Sequence, residues 1–183
     1  MLLAIILVLF GMLTPLTAQA AATYRIGQVG SAWFQSVTDA DGNDLVGATV
    51  DANGQYFDMT IGIRIDRMED LKEGDVVDVE FSTYGHYTAW YFGLNGGGVA
   101  APSIAGPDGS ILFTARNSDN HLYLTRTGEP AVGRLESSVN FHGQQWSTDM
   151  DYDETTWRIK DTGSKVTFAN RKIVLRPCTS DMN

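Results

Sequence analysis

Cysteine is almost absent from this chain of 183 residues, in which Cys178 is the only one. A single cysteine cannot close an internal disulfide, so the fold has to be held together by burial of apolar side chains. Hydrophobic residues make up 43% of the sequence, and a chain of this length can bury enough of them for one domain of ordinary size. We therefore expect a folded domain without disulfides.

Positive charge is also scarce. The 13 Lys and Arg residues are outnumbered by 22 Asp and Glu, which gives a formal net charge of −9. Binding to the phosphates of nucleic acid requires clustered basic side chains, and docking on an anionic lipid surface requires them as well. The composition therefore argues against nucleic acid and against a membrane as partners of the mature chain.

The sequence lacks the residue spacings that are typical of catalytic and metal sites. His86, His121 and His142 lie far apart and form neither a His-x-His nor a His-Glu-x-x-His pattern. There is no Gly-x-Ser-x-Gly elbow. The glycine run 96–98 is not followed by the Lys-Ser or Lys-Thr of a phosphate-binding loop. We expect no enzymatic activity and no cofactor, apart from the calcium considered below.

The first twenty residues contain a long apolar run. Residues 2–16 are apolar almost throughout, and Thr17-Ala18-Gln19-Ala20 offers an Ala-x-Ala cleavage site. The run is shorter than the roughly 20 residues that a helix needs to cross a bilayer. No Lys or Arg precedes it, and a retained N-terminal anchor helix is the alternative. We predict that 1–20 is a hydrophobic signal helix that is removed, which leaves a secreted or cell-surface chain starting at Ala21.

From Ala21 onwards, short apolar runs alternate with turn-forming residues, and no stretch has convincing helical periodicity. Two runs show the period-two pattern of half-buried strands: Ile61, Ile63 and Ile65, then Val77, Val79 and Phe81. We expect these two strands to pair with each other through the polar turn 72–75. About a dozen such runs, with turn signals roughly every ten residues, predict an all-β antiparallel sandwich. We predict that it forms a single domain over 21–183.

An aromatic-rich stretch, 84–94, is the best candidate for a binding surface. If it is a strand, neighbouring residues point to opposite faces, so one set fills the core while the other stays partly exposed. Exposed aromatics beside Asn and Asp form the flat surfaces that bind sugars or peptides. The predicted ligand-binding residues are Tyr84, Tyr87, Trp90 and Tyr91. Packing in the core is the alternative role for these side chains.

Acidic residues cluster in two places. The segment 39–44 does not fit an EF-hand calcium loop, because Gly42 is its fourth residue and Val50 occupies the twelfth position. We interpret it as a turn built on Asp and Asn. The second cluster contains Asp149, Asp151 and Asp153, whose carboxylates would share one side of an extended loop and coordinate calcium weakly. A solvated acidic loop is the alternative.

Two segments resemble a known family. Residues 37–43 read V-T-D-A-D-G-N, and residues 71–79 join a Gly-Asp turn to a hydrophobic strand. Both are similar to the N-terminal Ig-like sandwich domain of cell-wall adhesins of Gram-positive bacteria, the MSCRAMM type. The chain lacks that family's Leu-Pro-x-Thr-Gly motif and its T-Y-T-F-T-D-Y latch signature. The resemblance covers roughly residues 24–175. It implies an Ig-like sandwich that takes an extended peptide on a sheet edge through main-chain hydrogen bonds.

These features predict a secreted or cell-surface binding domain of the adhesin type that recognises an extracellular host protein or peptide. One alternative is a lectin-like module that binds a glycan through exposed aromatics, with calcium at Asp149, Asp151 and Asp153. Another is a structural subunit of a surface filament, which would polymerise through an exchanged strand or a retained N-terminal helix.

Overall fold

A computed structural model describes residues 20–51, 55–84, 87–91, 102–118, 120–146 and 152–171, and for 87–91 and 144–146 it describes the backbone alone. Nearly all regular structure in these ranges is β, as the sequence predicted. The strands are β1 Thr23–Arg25, β2 Gly30–Thr38, β3 Thr49–Asp51, β4 Tyr56–Ile65, β5 Val76–Tyr84, β6 Tyr87–Tyr91, β7 Ser103–Ala105, β8 Ile111–Ser118, β9 His121–Arg126, β10 Leu135–Trp146, β11 Glu154–Ile159 and β12 Lys165–Arg171. One helical turn, α1 (Ile26–Val29), follows β1, and a 3-10 turn, Met68–Asp70, lies between β4 and β5.

The strands form two sheets. The larger has the order β3-β12-β11-β5-β9-β8-β7, with β1 added beside β5, and the smaller has the order β2-β4-β10-β6. Most neighbours are antiparallel, but β1 runs parallel to β5 and β3 runs parallel to β12. The prediction of a purely antiparallel sandwich is therefore wrong for these two pairs. Neither pair is joined by a hairpin, so no turn signal in the sequence reports the strand direction.

Strands β4 and β5 do not pair with each other. The neighbours of β4 are β2 and β10, whereas β5 lies in the other sheet between β9 and β11. The predicted pairing across the turn 72–75 is therefore wrong. Met68 and Leu71, in the connection, are buried, so this segment carries the chain from one sheet to the other across the end of the core. The turn itself is where the sequence places it, since Gly74 has a φ of 85°.

Aromatic side chains from the two sheets meet in one core. Trp157 of β11 is fully buried, and its ring centroid lies 4.5 Å from that of Phe57 on β4 and 4.6 Å from that of Phe168 on β12. Phe81 of β5 stacks on Phe141 of β10, with centroids 5.5 Å apart. The two sheets therefore contribute to a single apolar core. Burial of this apolar surface is the main favourable term in folding a chain of this kind.

A cluster of charged side chains closes a junction between strands. Along one edge of β5, β1 pairs with its first residues and β11 with its last. Where these two strands meet end to end, Arg25 pairs with Glu80 and, at 3.0 Å, with Asp161. Glu80 also accepts a hydrogen bond from Lys160. The Lys160 bond is the main cause of a lowered pKa at Glu80, so this carboxyl is charged in the folded protein at neutral pH.

Within the ranges that the structure describes, no helix has the length and apolar character of a membrane span. The predicted signal helix lies outside these ranges except for Ala20.

Candidate functional site

The aromatic residues predicted to bind a ligand are divided between the two sheets. Tyr84 is the last residue of β5, in the larger sheet, whereas Tyr87, Trp90 and Tyr91 belong to β6, in the smaller one. The Tyr84 side chain is 68% exposed. The side chains of the other three lie outside the part of the chain that the structure describes. The binding role of all four residues stays a prediction.

Strand β6 is the last strand of its sheet. β10 pairs along one edge, with Tyr91 opposite His142 and Tyr87 opposite Trp146. No strand in the described ranges is hydrogen-bonded to the other edge of β6. An edge of this kind presents unpaired N–H and C=O groups, on which another extended chain can add as a further strand.

The other sheet edges are less suited to such a partner. At the far side of the smaller sheet, the loops of the chain itself cover β2: the Phe34 N–H donates to Ser164 Oγ (3.1 Å), and Thr162 Oγ1 donates to the Ala32 carbonyl (2.7 Å). In the larger sheet, the edge strands β3 and β7 have only three residues each. Among the strands that the structure describes, β6 therefore offers the longest edge without such cover.

Beside Tyr84, the outer face of β5, β11 and β12 forms a polar groove of about 650 Å³, which we call the Tyr84 groove. Its lining residues are Ser82, Thr83, Tyr84, Glu154, Thr156, Arg158, Lys165 and Thr167. Strand alternation places them there: Trp157 and Ile159 point into the core, so Thr156 and Arg158 point outward.

The register between the strands orders the Tyr84 groove into rows. Tyr84, Thr156 and Thr167 lie side by side in one row. The hydroxyls of the two threonines are 2.9 Å apart and hydrogen-bonded. Ser82, Arg158 and Lys165 form the next row. The groove thus has an aromatic ring at one corner, hydroxyls in the middle and two cations at the opposite corner.

The two cations, Arg158 and Lys165, form an electrostatically unbalanced pair. They are direct cross-strand neighbours, and neither makes an ion pair with a residue that the structure describes. Like charges directly opposite each other in a sheet cost on the order of 0.2–1 kcal/mol. At the other end of β12, by contrast, Arg171 pairs with Asp51 at 3.2 Å. The pair therefore attracts an anion in an otherwise acidic protein.

Glu154 is the acidic residue among the groove lining. It lies four residues along β11 from Arg158, which corresponds to about 13 Å at the usual rise per residue of a strand. Its carboxylate is therefore too far away to neutralise the cation pair. At that same end, the rings of Tyr84 and Tyr152 contact edge to face, with centroids 6.1 Å apart.

A smaller groove, of about 320 Å³, lies on the outer face of β2, β4 and β10. In it His142 Nδ1 contacts Asp58 Oδ1 at 2.5 Å. The register places Asp58 between Thr38 and His142. A Ser-His-Asp type of triad needs the imidazole between the hydroxyl and the carboxylate, so this order of strands does not build one. A second pair joins His121 Nδ1 to Asp78 Oδ1 at 2.8 Å on β9 and β5.

Of the two acidic clusters, the structure describes only the first, 39–44, in full. Asp39 accepts hydrogen bonds from the Asp41 and Asn43 N–H groups, both at 2.9 Å, and from the Asn43 side chain, which lowers the pKa of Asp39. The interpretation of 39–44 as an Asp/Asn turn is confirmed. Asp149 and Asp151 lie outside the described ranges, so calcium binding with Asp153 stays a prediction. In the described ranges, no three His, Cys, Asp or Glu residues are grouped to hold a metal ion.

Comparison with known proteins returns no match, either to a family model or to a curated protein. The resemblance to the adhesin domains therefore rests on the two sequence segments alone. In the structure, the first of these segments is the end of β2 with the turn that follows it, and the second leads into β5.

Proposed function

We propose that this chain is a secreted or cell-surface binding domain of the adhesin type, which binds an extended segment of a host protein along β6. The observation that carries the proposal is the position of β6 at the end of its sheet, with β10 along one edge only among the strands described. A peptide that pairs with this edge gains main-chain hydrogen bonds, and its side chains are selected by the residues around the strand.

The sequence of β6 supports the same proposal. The strand reads Y-T-A-W-Y, and Tyr and Trp supply large contact areas at low conformational cost in binding surfaces. Tyr84 stands at the end of the strand that leads into β6 and is exposed.

The test begins with peptides selected from a random linear library for binding to the purified protein. Thr88→Pro and Ala89→Pro form a matched pair, because successive N–H groups in a strand point to opposite sides. In one of the two variants, proline removes a main-chain hydrogen bond to β10. In the other, which we call the outer-edge proline variant, proline removes only an N–H at the outer edge of β6, where proline is tolerated. We expect the outer-edge proline variant to keep the melting temperature of the wild type and to lose peptide affinity at least tenfold.

Side-chain selection is tested with Tyr87→Ala and Tyr91→Ala, each of which should weaken the selected peptides by tenfold or more if the fold is intact. A library that yields no binder contradicts the proposal. So do peptides that bind both proline variants as tightly as the wild type. Concentration-dependent oligomers that the outer-edge proline abolishes would assign the edge to a second copy of this chain, as in a filament subunit, instead of a host peptide.

A further inference from the structure

We propose that the Tyr84 groove is a second binding site, separate from the β6 edge, and that its ligand is an acidic saccharide. The site combines the exposed ring of Tyr84, the hydroxyls of Thr156 and Thr167, and the unpaired cations Arg158 and Lys165.

The position of the groove on a sheet face decides the class of ligand. The main-chain N–H and C=O groups of β5, β11 and β12 lie in the plane of the sheet, where they form the ladders between these strands, so a ligand on the face of the sheet is held by side chains. An extended peptide would gain no main-chain hydrogen bonds there, unlike at a sheet edge. A sugar needs none, because its ring stacks on an aromatic face and its hydroxyls bond to side-chain hydroxyls.

The cation pair decides the charge of the ligand. The planar guanidinium of Arg158 can hold a carboxylate or a sulfate through two hydrogen bonds, and Lys165 adds a second positive charge directly beside it. Binding of an anion relieves the repulsion between these two like charges. Both groups are on the strands that carry the threonine hydroxyls, one row away.

Glu154 fixes the orientation of the ligand. It lines the end of the groove where Tyr84 lies, and its carboxylate repels a second acid at that end. The inferred ligand therefore places an acidic substituent on Arg158 and Lys165 and a neutral ring over Tyr84.

The experiment measures binding of four probes by calorimetry at low salt: a galacturonic acid tetrasaccharide, a heparin-derived tetrasaccharide, neutral maltotetraose and a tetraglutamate peptide. The first two arms separate a carboxylate from a sulfate as the acid that is recognised. The variants are Arg158→Gln, Lys165→Gln and the double substitution, with Arg171→Gln as the matched control. Arg171 is an exposed cation on β12 that pairs with Asp51 outside the groove.

We expect one of the acidic saccharides to bind at least tenfold more tightly than maltotetraose and to weaken as salt is added. The double variant should lose this affinity tenfold or more, while Arg171→Gln stays within twofold of the wild type. Each groove variant should melt no lower than the wild type, because a like-charge contact has been removed. Tyr84→Ala should also weaken the saccharide without unfolding the protein.

Equal affinity for maltotetraose, or no saccharide binding, overturns the proposal. Tetraglutamate binding that depends on Arg158 and Lys165 overturns the saccharide class, and unchanged affinity in the double variant removes the site. The outer-edge proline variant of β6 separates the two proposals. It should bind the saccharide normally even where it has lost peptide binding, so failure of one site leaves the other standing.

Discussion

Replacement of Trp157 by alanine tests whether the two sheets share one core. The indole is fully buried between Phe57 of the smaller sheet and Phe168 of its own sheet, with ring centroids within 4.6 Å of both. Truncation of a buried Trp to Ala removes its transfer free energy and leaves a cavity, at a cost of about 3–5 kcal/mol. Since domains are stable by about 5–15 kcal/mol, the loss is a large fraction of the total.

Urea denaturation followed by far-UV circular dichroism measures this loss. With a slope of about 2 kcal/mol per molar urea, the midpoint should fall by roughly 2 M. Tyr84→Ala is the control, because truncation of an exposed ring should change stability by less than about 0.5 kcal/mol. A double-mutant cycle of Trp157→Leu and Phe57→Leu should yield a coupling of about 0.5–1.5 kcal/mol across the sheets. A loss below 1.5 kcal/mol for Trp157→Ala (roughly half the expected minimum), with no coupling, would refute a shared core.

Two further substitutions test the backbone and the charge cluster. A Cβ at Gly30 would lie 1.8 Å from the Arg64 carbonyl oxygen. Gly30→Ala should therefore separate β2 from β4 and cost about 2 kcal/mol or more in urea unfolding, and an unchanged midpoint would contradict this close approach. The pKa of Glu80 is lowered below its ordinary value of 4.5, chiefly by the hydrogen bond from Lys160. The charged Glu80 carboxylate therefore stabilises the folded protein above pH 4.5, and this contribution disappears as the pH falls through the folded-state pKa of Glu80. Glu80→Gln should cost about 1 kcal/mol at pH 7 and nothing in acid, whereas a constant difference at every pH would contradict the ionic role.

The strands could be predicted from the sequence, but their assignment to sheets could not. Alternation of apolar and polar residues located β4 and β5, because the pattern depends only on which face of a strand is buried. The turn between them gave no information on pairing. The turn at Gly74 is compatible with a hairpin. The segment that contains Met68 and Leu71 instead crosses the end of the core, and the burial of these two side chains is seen only in the three-dimensional structure.

The candidate site was predictable in part. Tyr84 was selected from the aromatic-rich stretch, and its exposure agrees with a surface role. The pair Arg158 and Lys165 was missed, although a signal existed: both flank the tight turn at Gly163, which has a φ of 71°. Counting outward from the four-residue loop 160–163, which ends at Gly163, pairs Ile159 with Ser164 and then Arg158 with Lys165. The contact between His142 and Asp58 had no such signal, because the two residues are 84 positions apart.

Amide hydrogen exchange of β6, with and without the tightest peptide from the library, tests the central claim most directly. The amides of β6 that face away from β10 should exchange fast in the free protein and slow by at least tenfold when the peptide is bound. The amides of β2 at the opposite edge should not change. Protection that appears elsewhere in the protein, while β6 exchanges as before, would contradict recognition of a peptide along this strand.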